Sequence, residues 1–188
     1  MVIDWSNFFA MRSCEYCLKT AAEEKKRTKI VRIGNITFKK KNKILSHSSK
    51  ELEKADLVRV RFSFQKNDKC DVCVHMFCSG DKVLYPVIAW VKVVKRVRKI
   101  KNSSSETEVC AFEDSNGQSS FISANYVRTR LHSVVELIGE QTLGFTKDDI
   151  GLHSICSGGV MAMFLSGTSV IIIQRVRCWS NEAFLEYI

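Results

Sequence analysis

The chain has 188 residues, 45% of them hydrophobic, with nine glycines and one proline; this excludes a disordered or collagen-like polymer and suffices for one buried core. Its 29 basic against 20 acidic residues give a formal charge of +9, which points to a polyanionic partner. The apolar runs, 170–173 among them, are far too short to cross a bilayer, and 5–16 lacks the basic start and long apolar core of a secretory leader. The eight cysteines are therefore expected as thiols in a reducing, intracellular compartment.

In chain order, 7–19 is expected to be a helix, with Phe8, Met11, Glu15 and Leu18 at helical spacings. A basic loop at 23–29 leads into a β-like stretch at 30–38 and an exposed turn at 39–43. Residues 56–66 alternate strictly. Val58, Val60, Phe62 and Phe64 fall on one face, and Arg59, Arg61, Ser63 and Gln65 on the other, the pattern of a half-buried strand. Asn67, Asp68 and Lys69 supply turn chemistry, and 72–77 returns as the partner strand of a hairpin.

After Pro86, the segment 87–100 places Val87, Ile88, Val91, Val94 and Val97 on an apolar helical stripe. Lys92, Lys95, Arg96 and Lys99 lie opposite, either as a solvated surface or as a track for phosphates. A polar connector follows at 102–108. Ser123 is placed to cap a helix over 124–139 whose Val127, Leu131, Val134, Val135 and Ile138 face a core. Thr146 and Asp149 have capping-box spacing ahead of a helix at 153–166, and Ser180 is placed to cap a short final helix carrying Tyr187. No internal repeat or second domain is evident.

Cys14 with Cys17, and Cys70 with Cys73, have the two-residue separation of metal knuckles, and His75 and Cys78 are close in sequence. The first pair falls on an expected helix and the second on an expected strand, whereas structural zinc knuckles sit on turns. No metal is expected, and free thiols are the simpler reading.

Three blocks occur in order: AMRSCEY (10–16), FQKND (64–68) and LGFTKDDIGLHS (143–154). They are followed by HSIC (153–156) and RCWSNEAFLEYI (177–188). Together these resemble the catalytic domain of the tyrosine recombinases, integrase-type enzymes that break and rejoin DNA, and in particular the Crypton type of eukaryotic mobile elements. The resemblance implies an α+β, mainly α fold with a small antiparallel sheet or hairpin. It implies catalysis through a 3′-phosphotyrosyl intermediate with no metal and no nucleotide, because the bond energy is conserved in the phosphotyrosine.

By the same resemblance Tyr187 is the nucleophile and Arg12 the first catalytic arginine, supported by Glu15. Lys66 is the hairpin lysine that protonates the leaving 5′-hydroxyl. His153 donates a hydrogen bond to the scissile phosphate, and Trp179 takes the third-block position, with Cys178 as the competing alignment. Cys156 stands where the family carries a second arginine. A thiol offers one weak donor in place of two parallel charged hydrogen bonds, so impaired chemistry is expected, with Arg175 and Arg177 the nearby cations.

The expected partner is double-stranded DNA, bound in the nucleus by a homo-oligomer (a tetramer if intact), with Lys92, Lys95, Arg96 and Lys99 as backbone contacts. The resemblance also implies a core-binding domain before this domain and a tail after it, both absent from 1–188, and no membrane association. The alternative reading is a non-enzymatic, basic nucleic-acid-binding module, zinc-stabilised if the cysteine pairs converge.

Overall fold

The computed structural model describes residues 11–18, 29–64, 70–80 and 85–177. Within them the chain is α+β, with a four-stranded antiparallel sheet, a separate two-stranded hairpin and helices. No helix among the described residues is long and apolar enough to cross a membrane.

The sheet consists of β1 (Ile36–Lys40), β2 (Lys43–Leu45), β3 (Leu57–Phe64) and β4 (Cys70–Phe77), in the order β2-β1-β3-β4. The alternation expected for β3 is realised: Val58, Val60 and Phe62 are buried, while Arg59, Arg61 and Ser63 point the other way. Register carries this pattern across the sheet. Val58 pairs with Phe38 and Met76, and Val60 with Ile36 and Val74, so one face is apolar throughout. The basic stretch at 39–43 is only partly a turn. Lys39, Lys40 and Lys43 belong to strands, and the reversal is confined to Lys41, with φ 52°, and Asn42.

Helix α2 (Pro86–Arg98) packs on that apolar face. Pro86 occupies the first turn, where its missing N–H costs nothing, and Lys95, Arg96 and Arg98 complement the negative end of the helix dipole. Val87, Val91, Val94 and Val97 are buried as expected, Ile88 is only half-buried, and Trp90 and Val93 join the stripe. Across from them the Phe38 ring lies edge-on to His47, with centroids 6.0 Å apart.

Helix α3 (Ala124–Ile138) starts at Ser123, whose Oγ accepts from the Tyr126 N–H at 3.1 Å. Only Val127 and Val135 of its apolar stripe are buried and Leu131 packs partly, whereas Val134 and Ile138 stay about half exposed. The stripe is wider than the surface it covers. A short helix α4 (Glu140–Leu143) follows. Thr146 and Asp149 do form a capping box, but on a single 3-10 turn, Lys147–Asp149. Helix α5 (Leu152–Leu165) begins separately at Gly151, whose N–H is accepted by Ser154 Oγ at 3.0 Å. Helix α6 (Val170–Arg177) joins α5 through Val160, Ile173 and Met163.

Two expectations are corrected. The helix expected over 7–19 is, within the described residues, the single turn α1 (Ser13–Tyr16). Cys17 is extended, and the Leu18 N–H donates to the Ile122 carbonyl at 2.9 Å, so long-range backbone bonding overrides local helical spacing. The stretch 30–38 is likewise not one strand, because Ile33–Asn35 is a 3-10 turn. A hairpin not read from the sequence, β5 (Ala111–Glu113) with β6 (Ser119–Phe121), turns on Asp114, whose Oδ1 accepts from Asn116 and Gln118, and on Gly117, with φ 73°.

The loop before β1 is threaded tightly. The Gly34 N–H donates to the Ser105 carbonyl at 2.8 Å, and a methyl group at Gly34 would lie 2.8 Å from that same oxygen. Gly34→Ala is expected to lower the unfolding free energy by roughly 1–3 kcal/mol as an overpacking change. Phe38→Ala, removing a ring with no exposure, should cost about 3–5 kcal/mol. Leu137→Ala, at a side chain 86% exposed, should stay within about 0.5 kcal/mol. Equilibrium denaturation of the three variants checks this ranking.

Burial holds the His47 pKa below its ordinary 6.5, partly opposed by a hydrogen bond of 2.8 Å between Nε2 and the Ile36 carbonyl. The unfolded chain therefore binds a proton that the folded one resists. Stability conferred by neutral His47 is present above pH 6.5 and falls as pH is lowered through and below it. His47→Gln should flatten this part of the stability–pH curve in denaturation measured from pH 8 to about pH 5.

Candidate nucleic-acid and strand-transfer site

Arg12 is the N-cap of α1 rather than a residue within a longer helix, with extended backbone at φ −79° and ψ 148°. Its N–H donates to Glu15 Oε2 at 2.8 Å, and its guanidinium stands 3.9 Å from the other carboxylate oxygen. The Glu15 side chain is buried and that of Arg12 keeps a fifth of its surface exposed. A buried carboxylate is costly unless it is hydrogen-bonded, so the bond from its N–H fixes the Arg12 backbone, with the guanidinium in ionic contact. The segment is tied to the fold on both sides, by the Val31 N–H donating to the Glu15 carbonyl at 2.9 Å and by the Leu18 bridge to Ser123.

His153 lies in the first turn of α5 with its side chain exposed, and its carbonyl accepts from Ser157 Oγ at 3.0 Å. Cys156, one turn on, is 1% exposed. The position that carries arginine in the resembled family thus holds a small, buried group here. Of the remaining candidates, Lys66, Trp179, Cys178 and Tyr187 lie outside the described residues, as does Ser180 with its expected cap. Lys66 belongs to the connection between the paired Phe64 and Cys70. Arg175 and Arg177 belong to the last turn of α6. The structure thus brings Arg12 and Glu15 together and places His153 beside Cys156 on one helix.

The basic face expected on α2 is smaller than its sequence. Lys92 and Lys99 are exposed. Lys95 Nζ is paired with Glu53, whose carboxyl this contact holds below its ordinary pKa. Arg96 departs from expectation: it turns inward, and its Nη2 donates to the Val109 carbonyl. Burial lowers its pKa from the ordinary arginine value. It is a structural clamp between α2 and the segment entering β5, not an exposed phosphate contact. Periodicity alone cannot separate these roles, because a long basic side chain on the flank of an apolar stripe can turn either way.

The thiols divide by environment. Cys17 and Cys110 are buried, and burial pushes the Cys110 thiol up to about 12. Cys73 and Cys78 are exposed. Among the described residues no three His, Cys, Asp or Glu side chains gather as a metal-binding group.

A cleft of about 680 Å³ lies where β3 meets the loops at 29–35 and 105–108, lined by Lys29, Arg32, Asn35, Arg61, Ser63 and Glu106 among others. Sequence reasoning placed Arg61 and Ser63 only on the polar face of a strand. The signal was the alternation itself, but the convergence of Arg32 on the same place comes from tertiary folding. No family model and no curated protein matches the chain.

The two kinds of basic residue on α2 should separate by measurement. Lys92→Ala and Lys99→Ala should each reduce the salt dependence of duplex-DNA binding by about 0.9 in the log–log slope without altering stability. Arg96→Ala should instead lower the melting temperature, because it strips a buried carbonyl of its partner. Salt titrations and melting curves on the three variants test the division; equal effects on binding from all three would contradict it.

Proposed function

We propose that this chain is a catalytic domain of tyrosine-recombinase type, acting on double-stranded DNA in the nucleus and chemically impaired at Cys156. The reading rests on the ordered match of the three blocks at 10–16, 64–68 and 143–154 with the residues that follow them. The observation that carries it furthest is the Arg12–Glu15 pair. A cation is held against a buried carboxylate at the start of a helix, as a preorganised phosphate donor must be.

In this reading Tyr187 Oη attacks the phosphorus of one strand. A bond from Oη to phosphorus forms and the phenol proton passes to solvent, while the bond to the 5′ oxygen breaks and Lys66 delivers a proton to that leaving oxygen. Arg12 and His153 donate to the non-bridging oxygens as charge develops. Attack by a 5′-hydroxyl on the phosphotyrosine reverses the step and releases Tyr187, so neither metal nor nucleotide is consumed. Trp179, or Cys178 in the competing alignment, takes the third-block position, where an indole N–H would donate to a phosphate oxygen. A tetramer on DNA is the assembly in which two duplexes would exchange strands.

Cys156 weakens this machinery twice. Its thiol cannot replace a charged, two-pronged donor, and at 1% exposure it offers a bound strand almost no surface. That burial favours the second reading, a nucleic-acid-binding module without strand-transfer chemistry.

Covalent trapping on a nicked suicide duplex, with the chain fused to a core-binding domain of a related recombinase, separates the two. The native chain should bind DNA and leave little adduct. Cys156→Arg should raise trapping by at least about a hundredfold, the scale of one restored transition-state donor. Tyr187→Phe in that background should abolish it. A Cys156→Arg protein that melts normally and binds DNA, yet leaves no adduct, would establish the second reading instead.

A further inference from the structure

The sheet packs one face against α2, and among the described residues the loops at 29–35 and 105–108 border its other face at Arg61 and Ser63. Its inner face holds the core, and its outer face carries cross-strand rows that register sets side by side. Ile44, Lys39, Leu57 and Phe77 form one row, Thr37, Arg59 and His75 the next, and Arg61 and Cys73 the third. Phe77 is 68% exposed and Ile44 62% exposed; His75, Cys73 and Arg61 are exposed as well. A large aromatic at that exposure is poorly explained by folding, since it gains almost nothing from the core.

Cations share the outer face with this ring. Arg59 is steadied by its Nη2 donating to Thr37 Oγ1 at 3.2 Å, and among the described residues no carboxylate pairs with Arg59 or Lys39. Arg61 approaches Asp71 at 3.9 Å, and Arg32, beyond it in the cleft, pairs with Glu106; both of these contacts are solvent-exposed, the kind worth little. Lys29, Lys39, Arg32, Arg59 and Arg61 outnumber the carboxylates of Asp71, Glu106 and Glu108 along this surface.

We infer that the outer face of the β2-β1-β3-β4 sheet is a binding platform for single-stranded nucleic acid, with a base stacked on Phe77 and the backbone phosphates carried by Arg59 and Arg61. A flat sheet suits a single strand better than a duplex, because splayed bases need an exposed ring and a groove-filling helix is not required. Strands about 4.8 Å apart, with same-face residues about 6.7 Å apart along each, give these three rows room for two or three nucleotides. The inference stands independently of the recombinase reading, since it uses none of Arg12, His153 or Tyr187.

The test is fluorescence anisotropy of the full chain with a labelled oligothymidine of about twelve nucleotides, and with a duplex of equal length, across a salt series. Native protein should bind the single strand. Phe77→Ala should weaken that binding about tenfold without changing its salt slope and leave duplex binding unaltered. Phe77→Tyr, which keeps the ring, should bind as the native chain does. Arg59→Gln and Arg61→Gln should each lower the single-strand slope by about 0.7. No binding of the oligothymidine, native affinity in Phe77→Ala, or an equal loss on the duplex would overturn the platform. Failure of covalent trapping would leave these expectations untouched.

Discussion

The structure depends on burial of one face of one sheet. Phe38, Val58, Val60 and Phe62 meet Val87, Trp90, Val94 and Val97 of α2, and every one of these side chains is almost wholly removed from water. Because side chains alternate with a period of two, this contact also decides what faces outward. A slip of one residue in β3 would bring Arg59 and Arg61 into the core and expel the valines, which desolvation of two guanidinium groups forbids. The cationic outer face is thus not independent of the core. It is the other half of the same alternation.

A second layer of order comes from backbone hydrogen bonds between irregular segments. The stretch from Met11 to Leu18 contains one helical turn, yet it is held by Val31 on one side and Ile122 on the other. Residues 31–34 are in turn laced to the loop at 105–109 through Thr107, Ser105 and Val109. Arg12 therefore owes its position less to its own helix than to segments distant in sequence. Glu15 completes the arrangement from within the core, which explains how a charged residue comes to lie at 3% exposure there.

These two kinds of order account for what the amino-acid sequence made legible. The β3–β4 hairpin, the start of α2 at Pro86 and the Ser123 cap all follow from local pattern, because each is decided by neighbours within a few residues. The short α1, the 3-10 turn at Ile33–Asn35 and the inward turn of Arg96 do not, because partners far along the chain decide them. Val134 and Ile138 were legible as a stripe but not as exposed residues, since periodicity gives a direction and not the extent of what lies opposite. The β5–β6 hairpin was within reach: Asp114, Asn116 and Gly117 are turn residues between two short β-like stretches. Of the candidate site, the association of Arg12 with Glu15 was implied by the resemblance, whereas the burial of Cys156 was not. Lys66, Trp179 and Tyr187 fall outside the described residues.

The basic surfaces differ in how their charge can be used. On α2, Lys95 is engaged by Glu53, but both side chains are about half exposed, and exposed ion pairs contribute little. A phosphate can displace such a carboxylate at little cost, so Lys95 remains usable beside Lys92 and Lys99. Arg96 is not usable in the same way, because withdrawing its guanidinium would leave the Val109 carbonyl in a buried place without that donor. The same distinction applies on the sheet. Asp71 and Glu106 are exposed and yield readily, whereas the bond from Arg59 to Thr37 orients the guanidinium without neutralising it. What a polyanion meets on either surface is therefore set by desolvation of each cation and its partner, not by the number of lysines and arginines.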